Sequence, residues 1–160
     1  YENSIEWLRD AGLVWLCKNV SACQFPLVGY ENEKFYKMYL TDLGLLVAMY
    51  GFEIKQAILD DTLTGPVKCG IYENLIADIL MKSHHSLHYY QNKNLGIEFL
   101  IEQNAKVIPV EVKAGNNRSQ SMNQLLKDEK IPYGYKFVNG NCGMNGKKIT
   151  LPLYLAMYVD

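Results

Sequence analysis

Two short segments carry acids and a lysine at alternating positions: Leu95-Gly-Ile-Glu-Phe-Leu-Ile-Glu102 and Lys106-Val-Ile-Pro-Val-Glu-Val-Lys113. Both read as strands. Side chains on a strand alternate between its faces. Ile97, Phe99 and Ile101 are therefore expected on one face, with Glu98, Leu100 and Glu102 on the other. In the second segment Ile108, Val110 and Val112 form an apolar face, and Glu111 and Lys113 share the opposite one. With Asn104-Ala105 as a two-residue turn, Gln103 pairs with Lys106 and Glu98 falls opposite Glu111, their Cβ atoms about 5 Å apart. Like charges that close need compensation. A divalent cation, Mg²⁺ or Mn²⁺, would supply it with help from Lys113. Hard oxygen ligands of this kind hold such an ion and leave it several waters, which suits metal-assisted phosphodiester hydrolysis. Glu98 and Glu111 would be the metal ligands, and Lys113 would orient the water and steady developing charge. The plainer reading is a surface hairpin with ordinary Glu/Lys pairing, because an E-x-K triplet is common. A slip of one residue would move the whole set to the other face. Pro109 lacks a ladder donor and fits best at an edge, a strand start or a bulge.

An upstream helix offers a third carboxylate. At about 100° per residue, Asn74, Asp78 and Lys82 gather on one polar side. Tyr72, Ile76, Ala77, Ile79 and Leu80 fill the wider arc. Glu73 falls inside that apolar arc, and a carboxylate facing a core needs a partner. If the helix packs over the acid pair, Glu73 points toward the same site.

Around this centre the sequence reads as alternating elements. Residues 2–11 form an amphipathic helix stopped at Gly12, and Leu13–Leu16 a short strand. Residues 19–33 read as a loop or irregular hairpin, and Lys34–Leu40 as a strand. There Phe35, Lys37 and Tyr39 share one side. Thr41-Asp42 caps a helix Leu43–Tyr50 that ends at Gly51, and a second short helix covers Glu53–Leu59. Turn residues between Asp60 and Pro66 mark the clearest internal boundary. A helix over 67–83 follows, then strands 87–91, 95–102 and 106–113, a helix Arg118–Lys127, a strand Tyr133–Val138 and a turn-rich loop 139–146. Leu151–Val159 closes the chain as strand or helix. The order predicts an α/β layer with a mixed sheet.

Composition sets the bounds. The chain has 160 residues, 49% of them hydrophobic and 21% charged, with a formal charge of −1. This excludes a disordered chain and a generic polycation. Charge is uneven: residues 1–112 hold nine Lys/Arg against fourteen Asp/Glu, whereas residues 113–160 hold seven against three. A polyanion would meet the second part. Only Arg9 and Arg118 offer a guanidinium fork. The cysteines at 17, 23, 69 and 142 form no zinc spacing and suit free thiols in a reducing, cytoplasmic compartment. No apolar run reaches the roughly 18 residues of a membrane span. The chain opens at Tyr1 rather than Met, with no signal sequence, and reads as a piece of something longer.

Taken in order, "WLRDAGLV", "KFYKMYLTDLGLLVAMYG", "GIYENLIADIL", "LHYYQNKNLGIEFLIE", "VIPVEVKAG" and "LPLYLAMY" resemble the carboxy-terminal domain, of unknown function, of prokaryotic AAA-type ATPases. The resemblance covers nearly the whole chain. It implies a PD-(D/E)xK restriction-endonuclease-like fold: a mixed β-sheet flanked by helices, with a small N-terminal α+β subdomain. On this view residues 1–62 are a helical/hairpin segment that could be a winged-helix remnant, and 63–160 the nuclease-like α/β domain. It also implies roles: Glu98 at the first acidic strand position, Glu111 at the second, Lys113 at the lysine and Glu73 at the helix acid. The first acid is often Asp in such nucleases; Glu is one methylene longer. An ATPase module of the same polypeptide would lie upstream and be the first partner. This chain has no phosphate-binding loop, since Asn141 stands five before Gly146 and Lys148 follows Lys147, so no nucleotide is expected here.

Other residues carry weaker signals. His84, His85 and His88 have poor ligand spacing and read as solvated or partly packed. Tyr89, Tyr90, Tyr133 and Tyr135 could stack on bases, but such residues more often line a half-wet sheet. Asn116–Gln124 with Arg118 could touch phosphate, the default being a polar helix start. Two functions stand side by side: a Mg²⁺-dependent phosphodiesterase site, or a non-catalytic module that keeps the fold and binds protein or nucleic acid.

Overall fold

The computed structural model describes residues 2–115 and 119–159, with backbone alone at residues 2 and 3. The expectation placed on Asn116 and Arg118 lies outside the described residues. The chain runs α1 (Glu2–Asp10), β1 (Val14–Val20), β2 (Glu31–Leu40), α2 (Leu43–Tyr50), α3 (Phe52–Leu59), α4 (Gly65–Lys82), β3 (His88–Gln91), β4 (Gly96–Gln103), β5 (Lys106–Lys113), α5 (Gln120–Leu125), β6 (Gly134–Val138), β7 (Gly143–Asn145) and β8 (Lys148–Pro152). Turns of 3-10 helix at Leu27–Tyr30 and Leu153–Tyr158 complete it. Among the described residues the strands form one mixed sheet of eight, in the order β2-β1-β3-β4-β5-β6-β8-β7. β1 lies parallel to β3, so strands before and after residue 62 share this sheet. No described helix is long and apolar enough to cross a membrane.

Local chemistry explains the boundaries of α2. Asp42 caps α2 by accepting the Leu45 amide at 2.9 Å, and Gly51 ends the helix at φ 92°, a conformation open to glycine. Several elements differ from expectation. β1 runs on to Val20, through Lys18-Asn19, because Lys18 finds Glu31 across the β1–β2 ladder. The segment 139–146 holds the short strand β7, and the last strand begins at Lys148, earlier than expected. α5 covers only Gln120–Leu125.

The β4–β5 hairpin has the expected register at its turn, with Gln103 opposite Lys106. Asn104 and Ala105 both sit at positive φ, 51° and 59°, as a right-twisted two-residue turn demands. Alanine has no compensation for that conformation. Ala105→Gly is expected to raise stability by about 1 kcal/mol in urea denaturation. No change, or a loss, would show that the turn is not strained there.

Pro109 sits inside central β5, not at an edge. The parallel ladder with β6 starts at Val110 opposite Tyr135, so the missing donor falls at that ladder's start. Its ring is accommodated by Gly134. A Cβ at 134 would stand 3.0 Å from Pro109 Cγ and 2.7 Å from Met122 Sδ.

Two apolar clusters flank the sheet. The larger joins Phe99, Ile101, Ile108, Val110, Val112 and Phe137 to Ile76, Ala77 and Leu80 of α4. The smaller joins Leu100, Val107 and Val20 to Leu27 and Met122. Ile97 belongs to the smaller cluster, contrary to simple alternation with Phe99 and Ile101. The cause is a bulge. From His88 to Tyr90 on β3, β4 advances from Leu100 to Ile97, one residue more. Glu98 and Phe99 lie within it.

Candidate acidic site at the β4 bulge

Three of the four residues singled out by sequence meet at the end of the β4–β5 ladder. Its last pair is Phe99 with Val110, so Glu98 and Glu111 flank that end. Lys113 Nζ stands 2.7 Å from Glu98 Oε1 and 3.4 Å from Glu111 Oε1. Through that shared nitrogen, the two oxygens lie within about 6 Å of each other. Glu111 is only 2% exposed. The second oxygens, Glu98 Oε2 and Glu111 Oε2, are buried and meet no hydrogen-bond donor. Buried acceptors left unmet cost free energy.

Electrostatics follow the geometry. Burial pushes the Glu98 carboxyl above the usual carboxylate range, and the hydrogen bond and charge of Lys113 only partly oppose it. For Lys113 burial works downward, but the hydrogen bond and charge of Glu98, joined by Glu111, outweigh it and leave the ammonium above its ordinary value. Lys113 is therefore a standing cation at neutral pH, suited to stabilising negative charge rather than to removing a proton.

Glu73 takes a different place. On α4 it faces β2, where its Oε2 lies 3.5 Å from Lys37 Nζ and accepts the Tyr39 hydroxyl at 3.3 Å. Tyr39 in turn packs on Phe99 with ring centroids 5.4 Å apart. Burial, followed by the charge of Glu73, pushes the Tyr39 phenol well up. Lys37 and Tyr39 were not marked by sequence reasoning. The signal was present: an acid in the apolar arc of a helix requires donors, and Lys37 and Tyr39 share one side of the preceding strand.

Of the polar side of α4, Asn74 and Asp78 are buried against the sheet and Lys82 is exposed. Asn74 donates to the Leu40 carbonyl at 2.9 Å and accepts its amide at 2.7 Å. Asp78 accepts the Trp15 indole N–H at 3.2 Å and pairs with Lys82. Of the histidines, His84 is exposed and His85 lies 3.1 Å from the Val159 carbonyl. His88 is buried, its Nε2 2.8 Å from Glu31 Oε1. Burial works against ionisation of Glu31, but Lys18 and His88 outweigh it and hold the carboxyl below its usual range. Tyr133, just before β6, meets Tyr135 edge-on with ring centroids 5.5 Å apart, and Tyr135 stacks on Phe137 at 6.2 Å. The four cysteines are unpaired, and burial pushes the Cys17 thiol to about 12.

Among the described residues, no group of three or more His, Cys, Asp or Glu is placed to hold a metal ion. The acid pair with Lys113 is thus a two-carboxylate centre. The profile of a family described as Domain of unknown function (DUF4143) matches residues 68–156, more than half of the chain. The chain belongs to the DUF4143 family. The match takes in Glu73, Glu98, Glu111 and Lys113 together, from α4 to the last 3-10 turn. No curated protein and no solved structure matches the chain.

Proposed function

We propose that this DUF4143 domain is a nuclease-like accessory domain of an AAA-type ATPase, with a metal-dependent phosphodiesterase site at Glu98, Glu111 and Lys113. The observation that carries this reading is the pair of buried, unmet Oε2 atoms beside a fixed ammonium group. Lys113 occupies the Oε1 atoms and leaves the others for a second electrophile. The donor set is hard and anionic, and two carboxylates with waters are a normal complement for Mg²⁺ or Mn²⁺. Glu98 and Glu111 would hold the ion; when bound it supplies Lewis acidity and an activated water. Lys113, kept protonated by its two acids, would steady charge on a phosphate oxygen. Glu73 supports the centre from behind, by fixing Tyr39 against Phe99. The family's association with AAA-ATPase proteins supports an ATPase module of the same polypeptide as partner.

A second reading is a non-catalytic interaction module on the same fold. It is favoured by α2 and α3, which contain no buried residue yet expose Met49, Phe52 and Leu59. Such apolar surface commonly marks an interaction site.

Plasmid cleavage and thermal melting under Mg²⁺ or Mn²⁺ titration separate the two. The nuclease reading expects metal-dependent cleavage that falls at least about a hundredfold in Glu111→Gln, together with metal-induced stabilisation of the wild type alone. Absence of both effects in a well-folded wild type would leave the interaction module.

A further inference from the structure

Five lysines are answered by carboxylates: Lys18 by Glu31, Lys37 by Glu73, Lys68 by Asp61, Lys82 by Asp78, and Lys113 by Glu98 and Glu111. Lys147 and Lys148, at the start of β8, are held differently. Lys147 Nζ donates to the backbone carbonyls of Asp128 at 2.9 Å and Ile131 at 2.7 Å. Lys148 Nζ donates to Asn123 Oδ1 on α5 at 3.0 Å. All three acceptors are neutral. They fix the ammonium groups without cancelling their charge. Among the described residues, no carboxylate oxygen lies within 4.0 Å of either nitrogen.

Both lysines are half-buried and open on a cleft of about 290 Å³, completed by Asn123, Leu126, Lys127 and Asn145. The lining offers mainly donors. Each ammonium has three N–H groups, so Lys147 keeps one to spare and Lys148 two. Lys127 adds a third cation. Asn123 spends its carbonyl oxygen on Lys148, and its amide N–H groups remain as further donors in the lining. The surrounding chain, residues 113–160, is the basic part of the sequence.

We propose that this cleft binds a phosphate group. A phosphate brings several strong acceptor oxygens on one compact anion, which matches several fixed cationic donors in one place. The same group is carried by free phosphates and by a polynucleotide backbone. The cleft shares no residue with the Glu98–Glu111–Lys113 centre, and its occupancy does not depend on catalysis there.

The test is binding in the presence of EDTA, with pyrophosphate followed by calorimetry and a fluorescein-labelled thymidylate strand followed by anisotropy. The double variant Lys127→Gln/Lys148→Gln is expected to bind about tenfold more weakly. For the strand, its log–log salt slope should be shallower by about 1.4. Lys148→Arg should keep the affinity, and so should Glu111→Gln, which separates this cleft from the acid pair. Lys147 ties two loop carbonyls together and is left in place, so that the variants melt as the wild type does. Pyrophosphate binding lost in the double variant identifies a free-phosphate site. Strand binding lost in that variant, without pyrophosphate binding, identifies a backbone site. A wild type that binds neither ligand, or a double variant that binds as tightly as the wild type, overturns the proposal.

Discussion

Lys113→Met is expected to cost about 3 kcal/mol of folding stability at neutral pH, measured by urea denaturation. Removing the ammonium leaves the Glu98 and Glu111 carboxyl groups facing each other with no cation between them. The pH dependence gives a sharper test. The Glu98 carboxyl lies above its ordinary value, so the folded state holds that proton longer than the unfolded chain does. Stability on this account is greatest in acid and falls as pH rises from about 4.5 through the folded-state value. Without Lys113, which pulls the carboxyl down, that fall becomes larger and extends to higher pH. In the wild type Lys113 acts at the opposite end. Its raised value means that its contribution is complete below about 10.5 and is lost as pH climbs through the folded-state value. The variant should therefore be severely weakened at pH 7 and much less so near pH 4.5. Equal loss at both pH values would show that Lys113 acts by packing and not by charge.

Phe99→Ala should cost about 4 kcal/mol. The ring is fully buried and is the surface on which Tyr39 packs. Its loss opens a cavity between α4 and the sheet and frees Tyr39, the donor that holds Glu73. A conservative Phe99→Leu should lose only about 1.5 kcal/mol. A Phe99→Ala loss as small as that of Phe99→Leu would mean that the site around Phe99 collapses readily and that the ring's contact with Tyr39 contributes little.

The hairpin that brings Lys113 to its acids was readable because a two-residue turn leaves only one register. The α2 helix was readable because Asp42 marks its start and Gly51 its end. The bulge was not readable, because Ile97, Glu98 and Phe99 continue an apolar–polar alternation that gives no hint of an added residue. Its cause lies in pairing with β3. The extension of β1 was hidden for a related reason: Lys18-Asn19 looks like loop until Glu31 arrives from β2. Glu73 was correctly suspect as an acid in an apolar arc, but its donors Lys37 and Tyr39 come from a strand more than thirty residues earlier. Local spacing marks each half of such a pair but not that the two halves meet. The cleft of Lys147 and Lys148 was hidden because these lysines fall between the loop 139–146 and the closing element, and the acceptors that hold them are backbone carbonyls and one amide.

The extra residue between Ile97 and Leu100 makes the acidic centre sensitive to sequence length as well as to sequence identity. With that residue removed, plain alternation would keep Ile97 on the side of Leu100 but leave one position for Glu98 and Phe99 together, so either the first acid or the core ring would be lost. The irregularity thus lets four successive residues send an acid to Lys113 and a ring to the core, two destinations that a regular run of three could not both serve.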